Sequence, residues 1–257
     1  MTGWNEFIYF ASAAVISSVA ASVLSMCGRR RAALVCSLTS SLVLLAFIGC
    51  LWLTLERPPL RTMGETRLWY SFFAGLAGLF TYIRWRYKWI LSFSTVLSTV
   101  FIMLNLLKPE IHDQTLMPAL QSPWFIPHVT VYMFSYSLLG CAFLIGLFCL
   151  FKPDSAEHMY ASADTLVYIG TAFLTFGMLS GSIWAKEAWG HFWSWDPKET
   201  WALVTWFVYL LYIHIRLYRR GNVKLWAFLL IFAFACLQMC WWGINFLPSA
   251  QNSVHVY

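Results

Sequence analysis

Eight stretches of the chain stay apolar long enough to cross a bilayer, and charged or proline-bearing residues separate them. Crossing takes roughly 20 helical residues. The runs fall near 6–26, 33–55, 68–83, 89–107, 126–151, 164–183, 200–217 and 225–244. Lipid offers no partner for bare backbone N–H and C=O groups, so such runs fold as helices. No period-2 alternation of the membrane-barrel kind is visible in the sequence. The pattern therefore predicts an all-α polytopic integral membrane protein with about eight transmembrane helices. The third run is short, and its Gly75 and Gly78 predict close helix packing.

Composition strengthens this picture: of 257 residues, 60% are hydrophobic and only 11% charged, against about a quarter charged in soluble domains. The first run is not expected to be a signal peptide. Its N-terminal flank, M-T-G-W-N-E, carries no positive charge, and Arg29, Arg30 and Arg31 follow the run instead. It is expected to remain a span with the N-terminus outside. That choice places Arg29, Arg30, Arg31, Arg84, Arg86, Lys88, Lys152, Arg216, Arg219, Arg220 and Lys224 in inner connections, as the positive-inside rule requires. The net charge of +6 then reports orientation and lipid headgroups, not a nucleic-acid partner.

None of the acidic or basic residues falls in the middle of a run, which argues against an ion-driven transporter. The seven cysteines form no C-x-x-C and no zinc spacing. They read as small buried hydrophobes, and nothing in the chain is suited to reducing a substrate's thiols.

The outer face gathers the unusual residues. Between the sixth and seventh runs lies W-A-K-E-A-W-G-H-F-W-S-W-D-P-K-E-T-W, residues 184–201, with five tryptophans. An interfacial belt explains some of them, because indoles favour the membrane–water boundary. A platform for a large flat ligand explains the density, since ring contacts add to area burial. Within it, Asp196-Pro197-Lys198-Glu199 has the form of a capping box that starts the seventh helix. The loop before the fifth run holds Pro109, Pro118, Pro123 and Pro127, which fix turns and set His128 at the mouth of that run.

W-G-x-x-W-x-W-D-x-K-E-x-W resembles the tryptophan-rich "WWD" signature of the haem-handling cytochrome c assembly proteins. The D-P-K-E-T-W ending and the following Y-L-L-Y-I-H-I-R are most similar to the CcsA (ResC) branch. P-A-L-Q-S-x-W followed by His128-Val129 is a second match, so the resemblance runs from about residue 115 to 257. The four N-terminal runs, over 1–107, match nothing specific in the family, and the resemblance implies a haem-handling assembly domain with four transmembrane helices over 108–257. It also implies covalent attachment of haem b to apocytochrome c on the outer face, in a bacterial inner membrane or a thylakoid membrane. The expected partners are a CcsB/ResB-type membrane protein, a client bearing C-x-x-C-H, and a thiol reductant system. Delivery of haem to a chaperone without ligation, and a transporter or structural subunit with an interfacial belt, are the alternatives.

The resemblance also implies roles for individual residues. His128 and His255 are expected to ligate haem iron on the outer face, with Trp184, Trp189, Trp193, Trp195, Asp196 and Lys198 around the haem. Lys186 and Lys198 suit propionates, because ammonium groups pair readily with carboxylates. His214 lies in the inner third of the seventh run. Such an imidazole can hydrogen-bond a neighbouring helix or ligate iron, and in this family the Y-x-H-x-R histidine binds haem within the membrane. The partner is expected to supply the opposing histidine, with Arg216, Arg219 and Arg220 facing propionates at the haem entrance. His112 and His158 read as solvated surface, and His191 carries no strong expectation.

Overall fold

The computed structural model describes residues 3–112, 118–152, 156–218 and 222–248. Within them lie eight α-helices: α1 Phe7–Met26, α2 Arg30–Leu55, α3 Met63–Trp85, α4 Lys88–Leu107, α5 Phe125–Phe151, α6 Ala156–Trp189, α7 Pro197–Tyr218 and α8 Val223–Trp241. All but α3 are long and apolar enough to cross a membrane. The protein is a polytopic helical membrane protein. The helices form two compact units, Met1–Leu116 and Met117–Tyr257.

In the first unit, α1 packs on α2 and α4, and α3 on α2 and α4. Phe7, Ala11, Leu44, Phe47, Leu51, Leu68 and Phe72 form its apolar centre. The weak hydropathy of α3 has a physical reason: its polar residues face inward. Glu65, Ser71 and Thr81 are wholly buried. Glu65 takes both guanidinium nitrogens of Arg57 at 2.8–2.9 Å and the backbone N–H of Arg61 at 2.7 Å. It also closes a capping box with Thr62, so α3 begins at Met63, earlier than its apolar residues indicate. Of the two glycines expected to mark close approach, Gly78 does so. A Cβ there would overlap Ser94, whereas one at Gly75 would meet only Ser41 at 4.0 Å.

His112 departs from the solvated surface expected of it. Its ring stacks on Trp4, with centroids 3.7 Å apart and planes 6° from parallel, and its Nε2 lies 3.2 Å from Asn105 Oδ1. Burial there pushes its pKa down, partly offset by Glu65 and Glu110.

In the second unit α5 packs on α6 and α8, and α7 closes the ring by packing on both. Consecutive helices run up and down, as in a four-helix bundle. One end of the bundle holds the start of α5, the end of α6, the start of α7 and the end of α8. The other end holds the remaining termini. The connection expected over 152–163 is largely helical, because α6 begins at Ala156. This puts Asp164 inside a helix. It accepts from Arg216 Nε at 2.8 Å and from the Tyr212 hydroxyl at 2.8 Å, and its second oxygen also meets the Arg216 guanidinium. Arg216 in turn lies over the rings of Trp226, at 4.1 Å, and Tyr160, at 5.5 Å. Arg216, expected to face propionates at a haem entrance, is thus paired with Asp164. Its charge is already committed, and it ties α6, α7 and α8 together. Arg219 and Arg220 lie outside the described residues.

Candidate functional site

The prolines before α5 shape the approach to the site. Pro118–Gln121 is a single 3-10 turn, and α5 starts at Phe125 with Pro127 in its first turn. The N–H of a first-turn residue needs no partner within the helix, so proline is tolerated there. His128 follows, on the first turns of α5. Two contacts from α6 hold the preceding turn. Trp184 Nε1 donates to the Ala119 carbonyl at 2.7 Å, and the Ser122 hydroxyl bonds Glu187.

His128 sits in a socket on α6. Its Nδ1 lies 2.8 Å from the Gly177 carbonyl. The ring stacks on Trp184 at 5.4 Å and 24°, and meets the edge of Tyr132 at 4.6 Å. Trp184 also touches Phe125 at 5.1 Å and Trp189 at 4.8 Å. With 1% exposure, Trp184 is a buried strut between α5 and α6. The sequence does carry the socket's signal, G-x-x-x-G at 177–181, a spacing for close helix approach, but the reading of the tryptophans passes over it.

The tryptophan stretch divides in two. Trp184 and Trp189 ride on α6, beyond the apolar run, and only 190–196 is loop. Trp193 and Trp195 lie 6.0 Å apart with planes at 88°. Phe192 and Trp195 are exposed, Trp195 by 67%, and so are His191 and, at the end of α8, Trp242. Trp195 has φ 60°, a left-handed conformation that costs an L-residue roughly 1–2 kcal/mol. Little packing repays that cost, which is the pattern of strain kept for a functional contact. Trp195→Gly is expected to raise the thermal unfolding midpoint, the relieved strain outweighing the freedom glycine adds to the unfolded chain. Haem retention should fall in the same variant. A lowered midpoint would mean that the indole is a packing residue.

The cap expected at Asp196 is formed. Its Oδ1 accepts from Lys198 N at 2.8 Å, and its own N–H donates to Glu199 Oε2 at 3.1 Å. Glu199 also holds Ser194 N at 2.8 Å, fixing the end of the loop. Asp196 is 5% exposed. Lys198 is half-buried, and its carbonyl receives the Cys240 thiol at 3.4 Å. Lys186 donates to the Gly190 carbonyl at 2.7 Å and lies over Phe192, so it closes the end of α6. His214 lies about 25 Å along α7 from Pro197, toward the opposite end. It is exposed, with Nδ1 at 2.8 Å from the Leu210 carbonyl of its own helix. His158 is exposed at that same end. His255 lies outside the described residues.

Chemically, this end of the second unit offers an imidazole whose Nδ1 meets a carbonyl, several accessible indoles, and basic residues beside them. A carbonyl only accepts, so Nδ1 is the donor in this contact, and in the neutral imidazole the lone pair then lies on Nε2. That set fits a flat, largely apolar group carrying a metal ion, as haem does.

Fold and site together define a polytopic helical membrane protein with an aromatic site at one end of a four-helix unit. A family profile described as "Cytochrome C assembly protein" matches residues 60–250, and the chain belongs to that family. The match begins well before residue 115, where the sequence motifs start, and so takes in α3 and α4. Among similar proteins is a cytochrome c biogenesis protein CcsA of Heterosigma akashiwo, 30% identical over 84% of this chain and 83% of its own length. The CcsA of Prochlorococcus marinus is 31% identical over 84% and 82%. That of Chlamydomonas reinhardtii is 38% identical over 62% of this chain, but only 48% of its own length is matched. A solved structure of the cytochrome c haem lyase CcmF shares the fold, with a TM-score of 0.72 over 93% of this chain and 46% of that one, at 19% identity.

Proposed function

We propose that this chain handles haem and joins it covalently to apocytochrome c, as the membrane core of a cytochrome c synthetase. Haem passes from a membrane site at His214 to the aromatic site on the outer, periplasmic or lumenal, face of a bacterial inner membrane or a thylakoid. The observation that carries this reading is His128, held with its lone-pair nitrogen defined at the end of the unit that also bears the exposed tryptophans. His255 is the second outer ligand. Haem supplies the iron and two vinyl groups, and each client cysteine S–H adds across one vinyl, giving a thioether.

The chain's own part is positional. Trp193 and Trp195 cover an apolar face and exclude water from it. His128 orients the ligand, and Lys198 meets carboxylates at the edge. No cysteine pair in the sequence is placed to keep client thiols reduced, so a separate reductant does that. His214 lies in line with Phe207 and Leu211 on an exposed stripe of α7, at the i, i+4 and i+7 positions of one helix face. That exposure supports a second membrane protein, of the CcsB/ResB type, which packs there and supplies the opposing imidazole.

Trp193→Leu combined with Trp195→Leu tests the platform. The double variant keeps apolar bulk, so it should accumulate normally while the Soret absorbance of the purified protein falls several-fold. An unchanged Soret band would make the stretch an interfacial belt.

A further inference from the structure

We infer that the Gly177 carbonyl is a positioning group for His128. It fixes the imidazole as the Nδ1–H tautomer, which makes Nε2 the nitrogen able to ligate, and the absence of side chains at Gly177 and Gly181 is what lets the ring reach it. The inference rests on His128 being an iron ligand, as proposed above, and assigns to α6 a role the family signature does not contain. Three observations carry it.

The hydrogen bond is 2.8 Å long and crosses between helices, from Nδ1 on α5 to a carbonyl on α6. The acceptor belongs to the main chain of a helix, so it cannot rotate away as a carboxylate could. Its lone pairs can only accept, which decides the tautomer.

The approach is possible only because two residues lack a Cβ. A Cβ on Gly181 would lie 2.5 Å from His128 Nδ1 and 2.6 Å from Cε1, and one on Gly177 would lie 2.5 Å from Tyr132 Cδ1. Real Cβ atoms do not come so close. Any side chain at Gly181 therefore drives the imidazole off its acceptor, while one at Gly177 drives away the tyrosine that backs it.

The ring is also held by two aromatic neighbours. Trp184 stacks on one face, Tyr132 meets it edge-on, and the Trp184 N–H is spent on the Ala119 carbonyl. With Nδ1 bonded and two rings packed against it, the imidazole is held in one orientation. Ligating histidines depend on such outer partners, whose loss typically costs about 10–100-fold in metal affinity.

The first measurement uses the parental chain without haem, labelled with 15N-histidine, and assigns His128 by the signals missing from His128→Ala. Nδ1 should resonate as a protonated nitrogen and Nε2 as an unprotonated one. The opposite pattern, or a mixture, overturns the inference and needs no variant that must fold. The second compares Gly181→Ala with the parent for haem affinity in detergent. We expect affinity about 10–100-fold lower, loss of the single tautomer in the haem-free protein, and recovery of haem occupancy with added imidazole. Parental affinity in an accumulating Gly181→Ala protein would overturn the positioning role. If His128→Ala itself binds haem as the parent does, the ligand assignment fails instead, and the nitrogen signals still report the hydrogen bond. The two failures are therefore distinguishable.

Discussion

His128→Ala is expected to stop cytochrome c maturation while the protein still inserts and accumulates. The loss should exceed the roughly 10–100-fold that removing an outer partner costs, because on the proposed assignment the ligand itself is removed. Truncation leaves a ring-shaped gap bounded by Trp184, Tyr132 and Gly181, with the Gly177 carbonyl still at its edge. Free imidazole has the size and the N–H to fill that gap, so adding it should return part of the maturation and of the Soret absorbance. The assay is covalent haem on a co-expressed client, alongside immunodetection of this chain. Maturation at the parental level would remove His128 from the ligand set.

The second large effect lies at the other end of the same unit. Asp164→Ala should lower the thermal unfolding midpoint of the purified protein by roughly 5–10 °C. Breaking a buried ion pair by removing one partner costs about 3–5 kcal/mol, because the remaining charge is stranded. The side chains of Arg216 and Asp164 are 16% and 15% exposed, which places the expected cost near the lower end of that range. A loss of about 3 kcal/mol corresponds to roughly 5–10 °C for a unit of this size. The hydroxyl of Tyr212 loses its acceptor as well, and the guanidinium keeps only the rings of Trp226 and Tyr160. Replacing both charged residues, Asp164→Leu with Arg216→Met, should recover most of the loss, since no orphan charge is left. A double variant no more stable than Asp164→Ala would show that the stabilisation is not electrostatic. His214 is two residues from Arg216 on α7, so the single variant should also disturb the helix face proposed to meet the partner.

The two ends differ in how far the sequence exposes them. Hydrophobic runs suffice to find all eight helices, because a span must be continuously apolar whatever it packs against. They mislead at the ends of α3 and α6. Glu65 and Thr62 begin α3 through a capping box, and Ala156–Ala163 extends α6 with residues too polar to join a hydrophobic run. The cap at Asp196 is legible because its partners are two and three residues away. The pairing of Asp164 with Arg216, and of Trp4 with His112, joins residues far apart in sequence, and no local pattern announces such contacts. Tryptophan density marks the site but cannot separate Trp184, which is buried, from Trp195, which is not. Nor can a histidine inside an apolar helix reveal its direction: His214 faces outward, which follows from the packing of α7 and not from its own neighbours in the chain.

The length of α6 has a consequence for the setting of the site. Its 34 residues span about 51 Å at 1.5 Å per residue, well beyond a hydrocarbon layer of about 30 Å. The Gly177 carbonyl and Trp184 that hold His128, the gap at Gly181, and the indole of Trp189 are all fixed to this one rod. A thinner or thicker bilayer would slide or tilt the rod to match its apolar girth. The rings would then ride higher or lower against the headgroups as a single piece, with their mutual distances kept. Lipid chain length would thus alter the depth at which the site meets the headgroups, and leave the geometry inside it unchanged.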